Sequence, residues 1–423
     1  MQKNKRYFTL IFLCFCGSLF AQNQINSPYS RFGIGDLQSN ILSEYAAMGG
    51  SSIGSYNPNI VNPYNPASYS SFKANSFIFS TGGAHQTTKM KTIDLEQTTN
   101  NSSFSHLILG FPINKKIGMS AGLLPFSNIG YHIEDSEIHP DLGNINYSYN
   151  GDGGLNILYV GAAYNLAENL SFGANANYLF GGLNRNKKVI FSDGETYNTR
   201  KTSSISAKGF FYQLGLQYYG DINDKTNFTL GFTANNNAEI SAKRSVLTET
   251  YEFVSSIYEV VKDTIENTST GFTSNMVLPK NIGVGVSLDM DNKWLFMADL
   301  SMQDWSAYRM FGESDSLANS MKLSGGLQFI PDKMSAKYWK LIKFRFGGKF
   351  QRSYLQLHNT QLNERSVTFG FGLPLRKTKS EINLAVEMGE RGTTNNNLIK
   401  EQFFRFQLGM NLKDIWFVKR KYD

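Results

Sequence analysis

Near its C-terminus the chain reads FRFQLGMNL, residues 404–412. Phe404, Phe406, Leu408, Met410 and Leu412 alternate with Arg405, Gln407, Gly409 and Asn411. A period of two gives a strand one face that avoids water and one that accepts it. The pattern recurs. Phe172, Ala174, Ala176, Tyr178 and Phe180 oppose Ser171, Gly173, Asn175 and Asn177; Phe210, Tyr212, Leu214, Leu216 and Tyr218 oppose Gln213, Gly215 and Gln217. Ile342, Phe344, Phe346 and Phe350 oppose Lys343, Arg345, Gly347 and Lys349, and Val367, Phe369, Phe371, Leu373 and Leu375 oppose Thr368, Gly370 and Gly372. In a soluble sandwich the polar face meets bulk water and is dense in Lys and Glu. In a closed barrel it lines a crowded lumen, where small and polar residues fit. The reading is an all-β fold, a single transmembrane antiparallel β-barrel over residues 73–412. A large soluble all-β exported protein is the alternative.

About fourteen such segments start near residues 74, 102, 116, 153, 168, 205, 223, 279, 293, 319, 340, 364, 379 and 402. Short connections such as INKK, NLAEN, DINDK, DMDNK and LRKTK alternate with long polar stretches at 85–101, 128–152, 184–204, 236–278, 305–318, 353–363 and 390–401. Short turns on one side and long loops on the other suit an outer-membrane barrel with periplasmic turns. If the N-terminus is periplasmic, every long connection is external and the C-terminus returns to the periplasm, with 413–423 as a tail. Trp294, Trp339 and Trp416 then lie at the periplasmic interface, where aromatic belts form. Stretch 236–278 contains YEFVSSIYEVVKDTI, an amphipathic helix or two strands rising above the membrane.

Residues 1–21 read as a cleaved secretory signal: Lys3, Lys5 and Arg6, an apolar run from Tyr7 to Phe20, and Ala21 before the cut. Both cysteines, Cys14 and Cys16, leave with it, so no disulfide or thiol chemistry remains. The signal carries three basic and no acidic residues, so the formal charge falls from +7 to +4, too mild to point to nucleic acid. Residues 22–72, rich in Gly, Ser, Asn, Pro and Tyr, read as a hatch or plug folded into the lumen, with Tyr29, Phe32, Ile34, Leu37, Ile41, Leu42 and Met48 to bury; a disordered linker is the other reading.

The order of features carries a resemblance. A hatch-like segment ends NPAS (Asn65, Pro66, Ala67, Ser68). GDGGLNILYVGAAYNLAENLSFGANANYLFG (151–181) follows, then LPKNIGVGVSLDMDNKWLFMADLSMQDWS (278–306) with Trp294, Asp299 and Trp305, and finally FRFQLGMNLKDIWF. The chain resembles FadL-type outer-membrane hydrophobic-compound transporters, in the form common among Bacteroidota, over nearly its whole mature length. The resemblance implies a fourteen-stranded barrel plugged by a hatch that ends near Asn65, Pro66 and Ala67. It implies uptake of long-chain fatty acids or other greasy molecules, with sideways exit through the wall. Some relatives instead serve secretion or assembly machines as partner barrels, and that reading stays open. The implied partners are membrane lipids and lipopolysaccharide, an amphiphilic small molecule such as a fatty acid, and other outer-membrane subunits.

Read literally, the alternation points Lys343, Arg345, Lys349, Arg376 and Arg405 inward, with Glu387 on the strand between. Such a lining suits an amphiphile's carboxylate, with Phe211 and Tyr219 holding its tail. The competing reading pairs Glu387 with Arg345 and Arg405 to stiffen the wall. Enzyme chemistry is not indicated. The five histidines, His85, His106, His132, His139 and His358, lack zinc-like spacing, and no cofactor or metal is implied. A Ser–His pair on adjacent strands facing lipid does not stand out.

Overall fold

The computed structural model describes residues 27–38, 42–255, 258–268, 271–315, 317–376 and 378–416. The leader at 1–21 and the last seven residues of the tail lie outside them. The strands are β1 (Asp36–Leu37), β2 (Ser76–Lys91), β3 (Glu96–Pro112), β4 (Ile117–His139), β5 (Gly143–Ala167), β6 (Leu170–Phe191), β7 (Asn198–Asn223), β8 (Thr226–Asn235), β9 (Ala238–Phe253) and β10 (Glu259–Asn267). They continue as β11 (Phe272–Leu278), β12 (Asn281–Met290), β13 (Trp294–Gln303), β14 (Arg309–Met310), β15 (Ser320–Phe329), β16 (Lys343–Leu357), β17 (Thr360–Pro374), β18 (Glu381–Arg391) and β19 (Lys400–Ile415). Fourteen of them, β2–β8, β12, β13 and β15–β19, form a closed antiparallel barrel. Pairing of β8 with β12 bridges the β9–β11 insertion, and pairing of β19 with β2 closes the ring.

The opening alternation is the wall of this barrel. Phe210, Tyr212, Leu214, Leu216 and Tyr218 are exposed on the outside, as are Phe404, Phe406, Leu408 and Leu412, while Phe211, Gln217 and Gln407 are buried within. An apolar surface this extensive and continuous is solvated by hydrocarbon, not water. Trp294, Trp339 and Trp416 lie at the short-turn end. Trp294 packs on Phe329 with centroids 4.2 Å apart and Trp416 stacks on Phe77 at 3.8 Å. The turn between β12 and β13 holds Asp291 and Asn292 at φ +58° and +49°, a conformation that Asp and Asn tolerate in tight hairpins.

At the other end the structure departs from the loops read in sequence. Stretches 128–152 and 184–204 are largely strand: β4 and β5 stay paired out to His139 and Gly143. β7 has 26 residues, about 85 Å at 3.3 Å per residue, far more than a membrane needs. Stretch 236–278 holds three strands, β9–β11, which extend the wall as a tall sheet, and YEFVSSIYEVVKDTI within it takes the two-strand form, the end of β9 paired with β10. Low in the sheet β9 still alternates, burying Ala238, Ile240 and Ala242, but from Arg244 upward neither face is consistently buried, so the period of two that would announce the rest is lost.

The N-terminal segment lies inside the barrel. It comprises a 3-10 turn (Pro28–Arg31), β1, one helical turn α1 (Ser43–Ala46) and a 3-10 helix (Pro66–Ser71). Leu42, Ala47, Val61, Ala67 and Tyr69 are completely buried. Its backbone runs against glycines on the inner wall. A Cβ added at Gly347 of β16 would stand 2.3 Å from Met48 C and Gly49 N, and one at Gly118 of β4 would stand 2.0 Å from Tyr69 O. Gly173, Gly231 and Gly326 make the same close approach from β6, β8 and β15, while Gly370 of β17 and Gly409 of β19 leave room for the side chains of Ala47 and Ser43.

Candidate functional site

Two strands of the wall separate partway along their length. β3 and β4 pair only from Pro112–Gly118 to Leu107–Leu123, while β4 and β5 stay paired along their whole length. Each flanking strand carries a register shift just beyond the last pair, β3 at Ser105 opposite Gly82 and Gly83, β4 at Phe126 between Pro125 and Ser127. Such bulges bend a strand and end its pairing, and Pro125 supplies no amide donor. Beyond the split, β1 of the N-terminal segment takes the place of β3 on the edge of β4, matching Asp36 with Asn128 and Leu37 with Ser127.

A lumenal cavity of about 360 Å³ opens onto this split. Its lining includes Phe104, Leu124, Phe126, Ile157 and Phe211 of β3, β4, β5 and β7, with Asn175, Asn177 and Gln213 among them, and Lys322, Lys349, Glu364, Arg391, Glu401 and Arg405 of β15 to β19. The aromatic rings of Phe126 and Phe211 meet at 6.4 Å. One cavity thus has an apolar group on β3, β4, β5 and β7 and a charged group on β15 to β19.

The sequence-derived cluster is divided. Glu387 Oε1 lies 2.7 Å from Lys349 Nζ and its Oε2 2.9 Å from Arg405 Nη1; Lys349 also meets Glu364 at 2.9 Å. Arg345 does not pair with Glu387. The register sets Arg345 opposite Gly370 and Lys349 opposite Ser366, so Arg345 reaches Glu381 at 2.7 Å, which also holds Lys343. Arg376 stands apart, exposed on the turn beyond β17, with its guanidinium 5.7 Å from the Tyr338 ring centroid. Phe211 lines the cavity. Tyr219 does not; it stacks on Tyr56 of the N-terminal segment at 4.3 Å.

Asn65, Pro66 and Ala67 seat the N-terminal segment. Asn65 caps the 3-10 helix by accepting from Ala67 N at 3.2 Å, and its Nδ2 donates to Ile53 O at 2.8 Å. Asp299 of β13 was quoted in the sequence without a role. It is buried, and its Oδ2 accepts from the backbone N–H groups of Ser52 and Ile53, the latter at 2.8 Å. A lone Asp in an alternating strand was the available signal. At the opposite rim Arg391 ties Asp36, 2.9 Å away, to Glu401, 2.7 Å away. The structure also brings His106 Nε2 within 2.8 Å of Ser80 Oγ. This pair is buried inside the wall, not facing lipid, and Ser80 Oγ in turn donates to Asn411 Oδ1. Among the described residues no cluster of His, Cys, Asp and Glu could hold a metal ion.

A fourteen-stranded antiparallel barrel with an N-terminal segment in its lumen and a split beside the third wall strand is an outer-membrane channel fold of the FadL type. The Pseudomonas putida toluene transporter TodX shares it at 17% identity and a TM-score of 0.57, over 90% of this chain and 100% of that one. The Ralstonia pickettii toluene transporter TbuX matches at 13% identity and 0.56, over 88% and 97%. A Pseudomonas aeruginosa FadL homologue matches at 8% identity and 0.55, over 90% and 100%. No curated protein matches the sequence. The chain belongs to the BamG family, whose profile matches residues 3–423.

Proposed function

We propose that this barrel takes up a hydrophobic compound bearing a polar end, long-chain fatty acids being one candidate class, and releases it sideways into the membrane between β3 and β4. The two-sided cavity carries this reading. An apolar tail fits against Phe104, Leu124, Phe126 and Phe211 beside the split, while a polar end faces Lys349, Arg391 and Arg405. An apolar surface for the tail with placed polar groups for the head fixes an amphiphile's orientation. The long-strand end is then external, and the N-terminal segment acts as the hatch that closes the turn side. The toluene transporters named above share the architecture, and their substrates lack a charged end. The buried charges here favour an amphiphile instead.

Stitching the split tests the reading. Ser103→Cys and Phe126→Cys, joined by a reducible thiol cross-linker, abolish uptake of a labelled fatty acid, and reduction restores it. Unchanged uptake through the stitched wall overturns lateral release.

A second reading, a non-transporting subunit of an outer-membrane secretion or assembly complex, has its own support. The tall sheet exposes Tyr197, Phe253, Val254, Tyr258, Val261 and Ile265 above the membrane band. β10 pairs on one side only, with β9. Isolated exposed apolar residues are ordinary, but a group of them at one sheet edge suits a partner.

A further inference from the structure

We propose a phosphate-binding site at the long-strand end, where an oxyanion clamps the N-terminal segment to the tall sheet. A second cavity of about 290 Å³ lies there, apart from the split and the lumenal cavity. Its lining draws on three bodies: Arg31 and Gly33 of the N-terminal segment, Arg185 of β6 with Arg244 of β9, and the 310–315 connection.

The contrast with the lumen is what points to a ligand. Inside the barrel Arg345, Lys349, Arg391 and Arg405 each have a carboxylate within 3 Å. Among the described residues, none of Arg31, Arg185 and Arg244 forms a salt bridge. Each is held by a group that carries no charge of its own. Arg185 Nη2 donates to Gly33 O at 2.7 Å, while its Nε is buried without a partner. The guanidinium of Arg31 lies 4.6 Å from the Tyr149 ring centroid, and that of Arg244 lies 4.6 Å from the Phe311 ring centroid. Stacking on a ring face leaves the in-plane N–H donors free. Phe311 itself has φ +55°, rare for a bulky residue and a form of strain that clusters at functional sites. It spends that strain holding Arg244 over the cavity.

Three guanidinium forks exceed what one carboxylate can accept, and match the several oxygens of a phosphate group. Glu313 and Asp315 share the rim, which leaves a formal charge of +1 for an incoming anion. Burial raises the Asp315 carboxyl above its usual range, with Arg185 acting in the opposite sense. The phosphate could arrive free or as a lipid headgroup. The site stands whether or not a compound crosses the barrel.

The test uses the full chain purified in detergent, with binding followed calorimetrically. One arm titrates inorganic phosphate and the other a short-chain phosphatidic acid. Saturable millimolar or tighter binding is expected in at least one arm. Phosphate in both arms means a free-ion site that tolerates a tail, and phosphatidic acid alone means a headgroup site. Arg185→Gln and Arg244→Gln each weaken it about tenfold, the loss of one charge-assisted bond. Arg365→Gln, on the outer wall, changes nothing, and Glu313→Gln with Asp315→Asn tightens binding. Bound phosphate also protects the chain from trypsin at Arg31. No saturable binding in either arm overturns the proposal, as does equal binding by the arginine variants when they keep the heat-resistant barrel mobility on gels.

Discussion

Asn65 Oδ1 lies 2.2 Å from where a Cβ would stand on Gly215 of β7. The amide that caps the 3-10 helix therefore occupies space that only a glycine in the wall can leave. Gly215→Ala is expected to push Asn65 out, at an overpacking cost of about 1–3 kcal/mol. Asn65→Ala loses the cap, roughly 1 kcal/mol, and leaves Ile53 O with Gln217 Nε2 as its remaining side-chain donor. Limited proteolysis of the folded barrel reads both, as faster cleavage within 42–72 with the barrel intact.

Asp299 tests the same docking from β13, three strands along the wall. It is the acceptor for the N–H groups of Ser52 and Ile53. Asp299→Ala orphans two buried donors at roughly 1–3 kcal/mol each. Asp299→Asn keeps an acceptor oxygen and is milder. Ion conductance across planar bilayers checks this: Asp299→Ala is expected to leak, and Asp299→Asn much less.

The Lys349–Glu387–Arg405 network makes a different prediction. Glu387→Gln leaves Arg405 without its carboxylate and Lys349 with Glu364 alone, and breaking a buried pair costs about 3–5 kcal/mol. Thermal unfolding of the Glu387→Gln barrel is expected at lower temperature. Adding Arg405→Met recovers part of the loss, because an uncompensated buried charge is the larger penalty. If Glu387→Gln is as stable as the parent and takes up more fatty acid, Glu387 screens a ligand-binding cation instead of stiffening the wall.

The split depends on its bulges. Pro125→Val with deletion of Ser105 removes one register shift and restores a donor, so the ladder between β3 and β4 can extend upward. Amide hydrogen exchange across 103–107 and 123–126 is expected to slow, and fatty-acid uptake to fall with it.

The fourteen wall strands were legible because hydrocarbon outside and a crowded lumen inside impose a period of two. Phe404 to Leu412 and Phe210 to Tyr218 show it, and both sets face outward. The period disappears where the strands leave the membrane, so β9–β11 and the upper halves of β4–β7 read as loops. Site residues on one strand were sorted correctly by face: Arg405 and Phe211 line the lumen. Pairing between strands was not legible, because it depends on register: Arg345 meets Glu381, which alternation alone could not select. The inner-wall glycines read merely as small. Gly at the centre of an inward face also marks where another backbone presses close, and Gly347 and Gly118 do this beneath Met48 and Tyr69. Pro125 was the one local sign of the split.

The central claim is that the lumenal cavity holds an amphiphile on its way to the β3–β4 split. Native mass spectrometry of the barrel extracted gently from its own membrane tests this most directly. The account predicts a free barrel carrying one bound amphiphile, absent when Phe126 and Phe211 are both replaced by Ser. An empty barrel that leaves the membrane only in stoichiometric complex with other protein subunits would contradict it.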